Sequence, residues 1–267
     1  LYLPYYSSVH ATLSGTVIPP DGYGITDKYR KKEPDGKDCI PEFAAKIERM
    51  DQNVNRLLKK LDEFGIADNT IVVFYSDNGG VGGYEELGEH GRRTYTSNLP
   101  LKGGKSQLHE GGIRVPLIIR WPGVIKPGSV CKEPVTSVDF YPTFLEACGA
   151  RPDPDYTLDG NSLMPLFKSA GQKELDRSIF WHFPLYYGNK AGNGVWGWTP
   201  ASAVRKGDYK LLEYFHDDHL ELYNLRKDIS EKVDLSEVLP EKTKEMYKEL
   251  KTWQKKTGAF IPQPKKS

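Results

Sequence analysis

The sequence predicts an α/β unit followed by a small antiparallel sheet closed by a helix, and three observations carry that expectation. An amphipathic helical stripe over residues 43–64 leads into a short apolar, β-branched stretch at 71–75, and apolar character returns at 113–121. Four short β-like stretches then occupy 178–225, and a second helical stripe follows near the C-terminus. The expected domains are residues 1–172 and 173–267, with the loop 151–165 as linker and the boundary near 169–175.

In chain order, residues 1–6 already read as strand, and 14–38 as a loop rich in Gly, Pro and charge. Pro41 suits a helix start, because its missing N–H has no intrahelical partner to lose there. Phe43, Ile47, Met50, Val54, Leu57, Leu61 and Phe64 recur at steps of four and three, with Lys46, Arg49, Gln52, Asn55, Lys59 and Lys60 elsewhere around the helix. Gly65 is placed for a left-handed cap, Ala67-Asp68-Asn69 for a tight turn, and 71–75 for a buried strand. Helix, turn and strand make half of a right-handed crossover. A second strand over 113–121, closed by Pro122-Gly123, is expected beside the first.

Val138, Tyr141, Phe144, Leu145 and Cys148 form a helical stripe ended by Gly149, with Thr136 or Ser137 as N-cap. Asp139 in the first turn of that helix is expected to complement the helix dipole. The runs 178–183, 202–205, 209–215 and 220–225 read as strands, and Met246, Leu250 and Trp253 share one face of a final helix ended by Gly258.

The 267 residues carry a formal net charge of +1, so nothing in the balance of charge points to nucleic acid or to an anionic membrane surface. Tyr29-Arg30-Lys31-Lys32 sits among Pro34, Asp35 and Gly36 and reads as a solvated loop. No apolar run approaches the length of a membrane span. Cys39, Cys131 and Cys148 are too few and too scattered for a disulfide framework or a metal knot, and they leave the compartment open.

Chemistry concentrates at 70–122. Asp77 and Asn78 stand at the carboxyl end of the first strand, where ligands gather in open α/β sheets and where hard oxygen donors reach a cation. Asp-Asn-Gly-Gly is equally a plain turn. Lys105 follows Gly103-Gly104, placed as a point charge for an anionic oxygen or as solvated surface. His10 ends an early apolar run, and a protonated imidazole there suits charge on an oxyanion. Tyr186, Tyr187, Trp196 and Trp198 either stack on a sugar or aryl ring or cap the sheet.

VVFYSDNGG followed by NLPLKGGKSQLHEGGIRVPLIIRWPG resembles the sulfatase family. The likeness extends over nearly the whole chain, through LYLPYYSSVHATL and the C-terminal ASAVRKGDYKLLEY. It implies a three-layer alkaline-phosphatase-like mixed sheet, hydrolysis of a sulfate ester, and a divalent cation, calcium or else magnesium, held in part by Asp77 and Asn78. It further implies sulfate contacts from Lys105 and His10, and a substrate contact from His182 in Phe180-Trp181-His182-Phe183-Pro184, where the family's usual following histidine is replaced by Leu185. The family nucleophile, a formylglycine made in C/S-x-P-x-R, has no match: Cys39-Ile40-Pro41-Glu42-Phe43 lacks the arginine and follows His10 instead of preceding it. The chain is therefore expected to be a C-terminal part lacking the N-terminal nucleophile region and inactive alone, with a sulfated small molecule or glycan as partner and an extracytoplasmic location. A phosphoester or phosphonate hydrolase of the same superfamily, or a non-catalytic sulfated-glycan-binding fragment, are the alternatives.

Overall fold

A computed structural model describes residues 24–32, 41–81, 97–190 and 196–262. The chain divides into two compact units, Leu1–Thr70 with Arg93–Ser97 and Ile71–Arg92 with Asn98–Ser267.

In the first unit, helix α1 (Gly24–Lys32) packs on α2 (Pro41–Glu63). Lys28 Nζ and Tyr29 Oη both donate to Glu48, at 2.7 and 2.8 Å. Residues 24–32, expected as loop, are helical because Asp27 in the first turn and Arg30, Lys31 and Lys32 in the last match the helix dipole. Helix α2 spans the residues that the periodicity predicts and Gly65 caps it at φ 66°, but Ile47, Leu57 and Phe64 of its apolar stripe are exposed while Ala45 is buried. Lys46, expected off the apolar stripe, is buried. Residues 67–69 form one 3-10 turn. The strand expected at 1–6 lies outside the described residues.

The second unit begins with strand β1 (Val72–Tyr75), paired antiparallel with β2 (Leu117–Arg120) in the register Val72↔Arg120 and Tyr75↔Leu117. Two expectations need correction. β1 is half-buried along its length, not fully buried, and β2 is shorter than 113–121 because Glu110–Ile113 forms a single helical turn, α3. β2 alternates half-buried and exposed positions, with Ile118 64% exposed, a two-faced strand.

Helix α4 (Phe140–Ala147) follows a 3-10 turn at Ser137–Asp139, whose Thr136 N–H donates to Asp139 Oδ2 at 2.8 Å. Asp139 does more than face a dipole. It is fully buried, accepts from Asn161 N at 2.9 Å, and is gripped by Arg177 through Nη1–Oδ1 at 2.5 Å and Nη2–Oδ2 at 2.6 Å. A two-pronged guanidinium matches a carboxylate that has lost its water. Helix α5 (Met164–Lys168) is the last element before the sheet.

Strands β3 (Ser178–Phe183), β6 (Ala201–Lys206), β7 (Tyr209–Tyr214) and β8 (Leu220–Asn224) form one antiparallel sheet in the order β3-β6-β7-β8. Strands β4 (Tyr187–Lys190) and β5 (Trp196–Trp198) make a separate hairpin where only an aromatic-rich loop was expected. Alternation sends Val204, Leu211 and Leu222 to one face, against Met246 and Leu250 of helix α6 (Pro240–Thr257). Each such side chain contributes roughly 1.5–3 kcal/mol on burial. The Trp253 ring of α6 stacks on Phe180 at 4.9 Å, and Gly258 ends the helix at φ 64°. The opposite face, with Ala203, Leu212 and Tyr223, packs on Leu108 and so covers the glycine-rich segment.

Candidate active site

Asp77 and Asn78 lie directly beyond β1. Asp77 is exposed, and its Oδ1 accepts the Asn78 N–H at 3.0 Å. Asn78 Nδ2 donates to Gly79 O at 2.8 Å. The Ser76 hydroxyl donates to Asn78 O at 2.9 Å and tightens the bend.

This tip is zipped onto the segment that carries Lys105. Gly79 N donates to Gly112 O at 2.9 Å, Lys105 N to Gly80 O at 3.0 Å, and Gly111 N to Lys102 O at 2.8 Å. The backbones approach so closely that a Cβ on Gly79 would stand 1.8 Å from Gly111 O, one on Gly111 2.2 Å from Gly103 O, and one on Gly112 2.1 Å from Gln107 O. The use these glycines show is the close approach of chain to chain. Asp77, Asn78 and Lys105 thus belong to one loop cluster.

Beneath the cluster lies a charged layer that the sequence reading missed. Lys210 of β7, fully buried, reaches Glu110 Oε1 at 2.9 Å, Glu231 Oε1 at 2.7 Å and Leu108 O at 2.9 Å. Glu231 Oε2 accepts the Glu110 N–H at 2.7 Å. Arg114 and Arg205 approach Glu110 Oε2 at 3.3 and 3.9 Å. Burial raises the Glu110 carboxyl, but Lys210 and Arg205 outweigh it and hold the pKa below its ordinary value.

A second group adjoins it. His109 Nε2 lies 3.3 Å from Glu221 Oε2 and 3.3 Å from Tyr214 Oη, while Tyr214 Oη donates to Glu221 Oε2 at 3.1 Å. Lys102 Nζ donates to Tyr223 Oη at 3.2 Å and lies over that ring. Burial pushes the Glu221 carboxyl up, yet the His109 hydrogen bond and the Lys102 charge prevail and hold it at about 2. Burial, then the Glu221 charge, raise the Tyr214 and Tyr223 phenols. The signal available in the sequence was a polar residue at alternate positions of otherwise apolar strands, as at Arg205, Lys210 and Glu221, and by default such positions read as solvent-facing.

His10 lies outside the described residues, so its place relative to Asp77 and Lys105 is not described. His182 sits on β3, on the α6 side of the small sheet, with Nδ1 2.6 Å from Ser202 Oγ and Nε2 2.9 Å from Phe260 O. Both ring nitrogens are occupied, so this imidazole meets a ligand by giving up one of those bonds. Cys39 also falls outside the described residues.

As cation ligands, the Asp77 carboxylate and the Asn78 amide oxygen fit a hard divalent ion, as two of the six to eight oxygens calcium takes. Among the described residues no group of three or more His, Cys, Asp or Glu side chains stands together to hold a metal.

Comparison with known proteins gives the same reading along both halves of the chain. Residues 6–150 match the family model described as Sulfatase, and 104–257 the one described as N-sulphoglucosamine sulphohydrolase, C-terminal. A sulfatase of Formosa agariphila is 36% identical over 252 residues, covering 88% of this chain and 41% of its own length. The crystal structure of Ps i-CgsB in complex with k-i-k-neocarrahexaose superposes with TM-score 0.68 at 30% identity, covering 85% of this chain and 46% of that one. The structure of BT4656 in complex with its substrate D-glucosamine-2-N,6-O-disulfate gives TM-score 0.63 at 31% identity, covering 88% and 46%. The chain spans less than half the length of each of these proteins.

Proposed function

The chain belongs to the sulfatase family and has its alkaline-phosphatase-like α/β fold, and from that premise we propose that it supplies the cation-binding tip and the sulfate-gripping lysine of a sulfuric ester hydrolase. The observation that carries the reading is the Lys105 N–H bond to Gly80 O at 3.0 Å, which ties the lysine's backbone to the loop bearing Asp77 and Asn78. A doubly charged sulfate ester needs its oxygens neutralised as charge shifts toward the leaving group.

In this reading Asp77 and Asn78 hold the ion through their side-chain oxygens, and Lys105 offsets charge on a sulfate oxygen. His10 donates a proton or a hydrogen bond to sulfate or to the leaving oxygen, and His182 contacts the rest of the substrate. A divalent cation, calcium by preference, would supply fixed positive charge there, and a formylglycine would supply the attacking oxygen. A sulfated sugar is the favoured substrate class, supported by BT4656, whose substrate is a disulfated glucosamine. The location is proposed to be extracytoplasmic.

The test is hydrolysis of aryl sulfate and of glucosamine 6-sulfate by the chain alone and by the chain joined to a nucleophile-bearing N-terminal part. The joined protein is expected to turn over sulfate esters and the chain alone is not. Lys105→Ala in the joined protein is expected to lower kcat about 10²–10³-fold. Turnover of aryl phosphate well above aryl sulfate, or an undiminished Lys105→Ala variant, would overturn the proposal.

A further inference from the structure

We propose that Asn98 is a positioning residue that sets the spacing between the cation tip and Lys105, an inference that rests on reading those groups as the working site. Asn98 Nδ2 donates to Gly80 O at 3.0 Å and to Gly103 O at 3.0 Å. A primary amide carries two N–H hydrogens and so can serve two acceptors at once. One acceptor lies just after Asp77-Asn78-Gly79, and the other just before Gly104-Lys105. A single side chain therefore spans the two segments whose separation fixes the distance between a carboxylate ligand and an ammonium.

The Gly80 carbonyl is the shared point. It accepts from Asn98 Nδ2 and also from Lys105 N, each at 3.0 Å, so the side chain and the lysine backbone converge on one oxygen. Gly80 and Gly103 are both glycines and have no side chain with which to hold themselves in place. Around them the segment is braced at other points, by Gly104 N donating to Gln107 Oε1 at 2.9 Å and by Gly79 N donating to Gly112 O. Neither of those bonds joins Gly80 to Gly103. Asn98 does, from a side chain that reinforces the backbone bond of Lys105 N–H to Gly80 O, and a shift of about 1 Å in such a spacing is costly to a reaction that depends on preset charges.

The isosteric change Asn98→Asp removes both donors and keeps the shape, while Asn98→Ala removes the whole amide. Amide hydrogen exchange of the full chain, without added metal, reads the clamp directly. Exchange at Lys105 and Gly79 is expected to rise about tenfold or more in both variants, with the Leu211 and Leu222 amides of the small sheet unchanged. In the protein joined to its nucleophile-bearing part, Asn98→Ala is expected to raise the calcium concentration that half-saturates sulfate-ester hydrolysis by about tenfold, which a mere loss of folded enzyme does not move. Unchanged exchange at Lys105, or a rise shared equally by the sheet, overturns the clamp. An unmoved half-saturation overturns its link to the ion. If the unaltered joined protein hydrolyses no sulfate ester, the functional reading fails, and the exchange result alone decides whether Asn98 spaces the two loops.

Discussion

Lys210 Nζ lies 2.9 Å from Glu110 Oε1, both side chains are almost wholly removed from solvent, and one hundred positions of chain separate them. This pair fastens the turn α3, whose Gly112 carbonyl receives the Gly79 N–H, to β7, one of the two inner strands of the small sheet. The C-terminal sheet is thereby the floor under the loops of the proposed site.

Lys210→Met would leave Glu110 and Glu231 buried with much of their compensation gone. The expected loss is about 3–5 kcal/mol in urea unfolding. Adding Glu110→Gln to Lys210→Met is expected to recover part of that loss, and strict additivity of the two changes would contradict the coupling.

The Arg177–Asp139 contact is a fork on a fully buried carboxylate. Arg177→Lys keeps the charge but not the paired geometry, and is expected to cost about 1.5–3 kcal/mol. Arg177→Ala, which strands the carboxylate, is expected to cost about 3–5 kcal/mol. Thermal unfolding of the two variants side by side checks the order.

Glu221 sets an acid limit. Its carboxyl is depressed from 4.5 to about 2 in the folded chain, so the stabilisation it brings is fully present above pH 4.5 and is lost as pH falls through about 2. Its upper bound is roughly 3 kcal/mol, from 1.36 kcal/mol for each pKa unit. Unfolding free energy measured between pH 5 and pH 2 is expected to fall less steeply in Glu221→Gln than in the unaltered chain.

Gly79→Ala drives a methyl to 1.8 Å from Gly111 O, a distance no side-chain carbon tolerates against backbone. The expected result is separation of the two loops, seen as faster amide exchange at Lys105, with activity of the joined protein lowered at least about 10²-fold. Gly123→Ala makes the contrast, since a Cβ at Gly123 meets nothing within 4 Å. Gly123 has a positive φ of 76°, so that change is expected to cost only about 1 kcal/mol of backbone strain and to leave Lys105 exchange unaltered.

The sequence by itself determined the elements whose cause is local. The α2 helix, the Gly65 and Gly258 caps, the strand leading to Asp77 and the alternating strands of the small sheet all follow from side-chain period and turn chemistry within a few residues. The ordered set from Asp77 through Lys105 also made the family legible. The helix at 24–32 was missed because its support is charge placement and packing on α2, not an apolar stripe.

Tertiary structure alone decided where the alternation pointed. Lys210, Glu221 and Arg205 occupy positions that read as solvent-facing, and Lys210 is fully buried and the other two half-buried because the segment 102–112 lies across that face of the sheet. It likewise decided what the glycines and Asn98 are for. Contacts between 79–80, 98, 103–105 and 111–112 are closures of chain on chain, and sequence spacing cannot register how closely two backbones pass once they are packed.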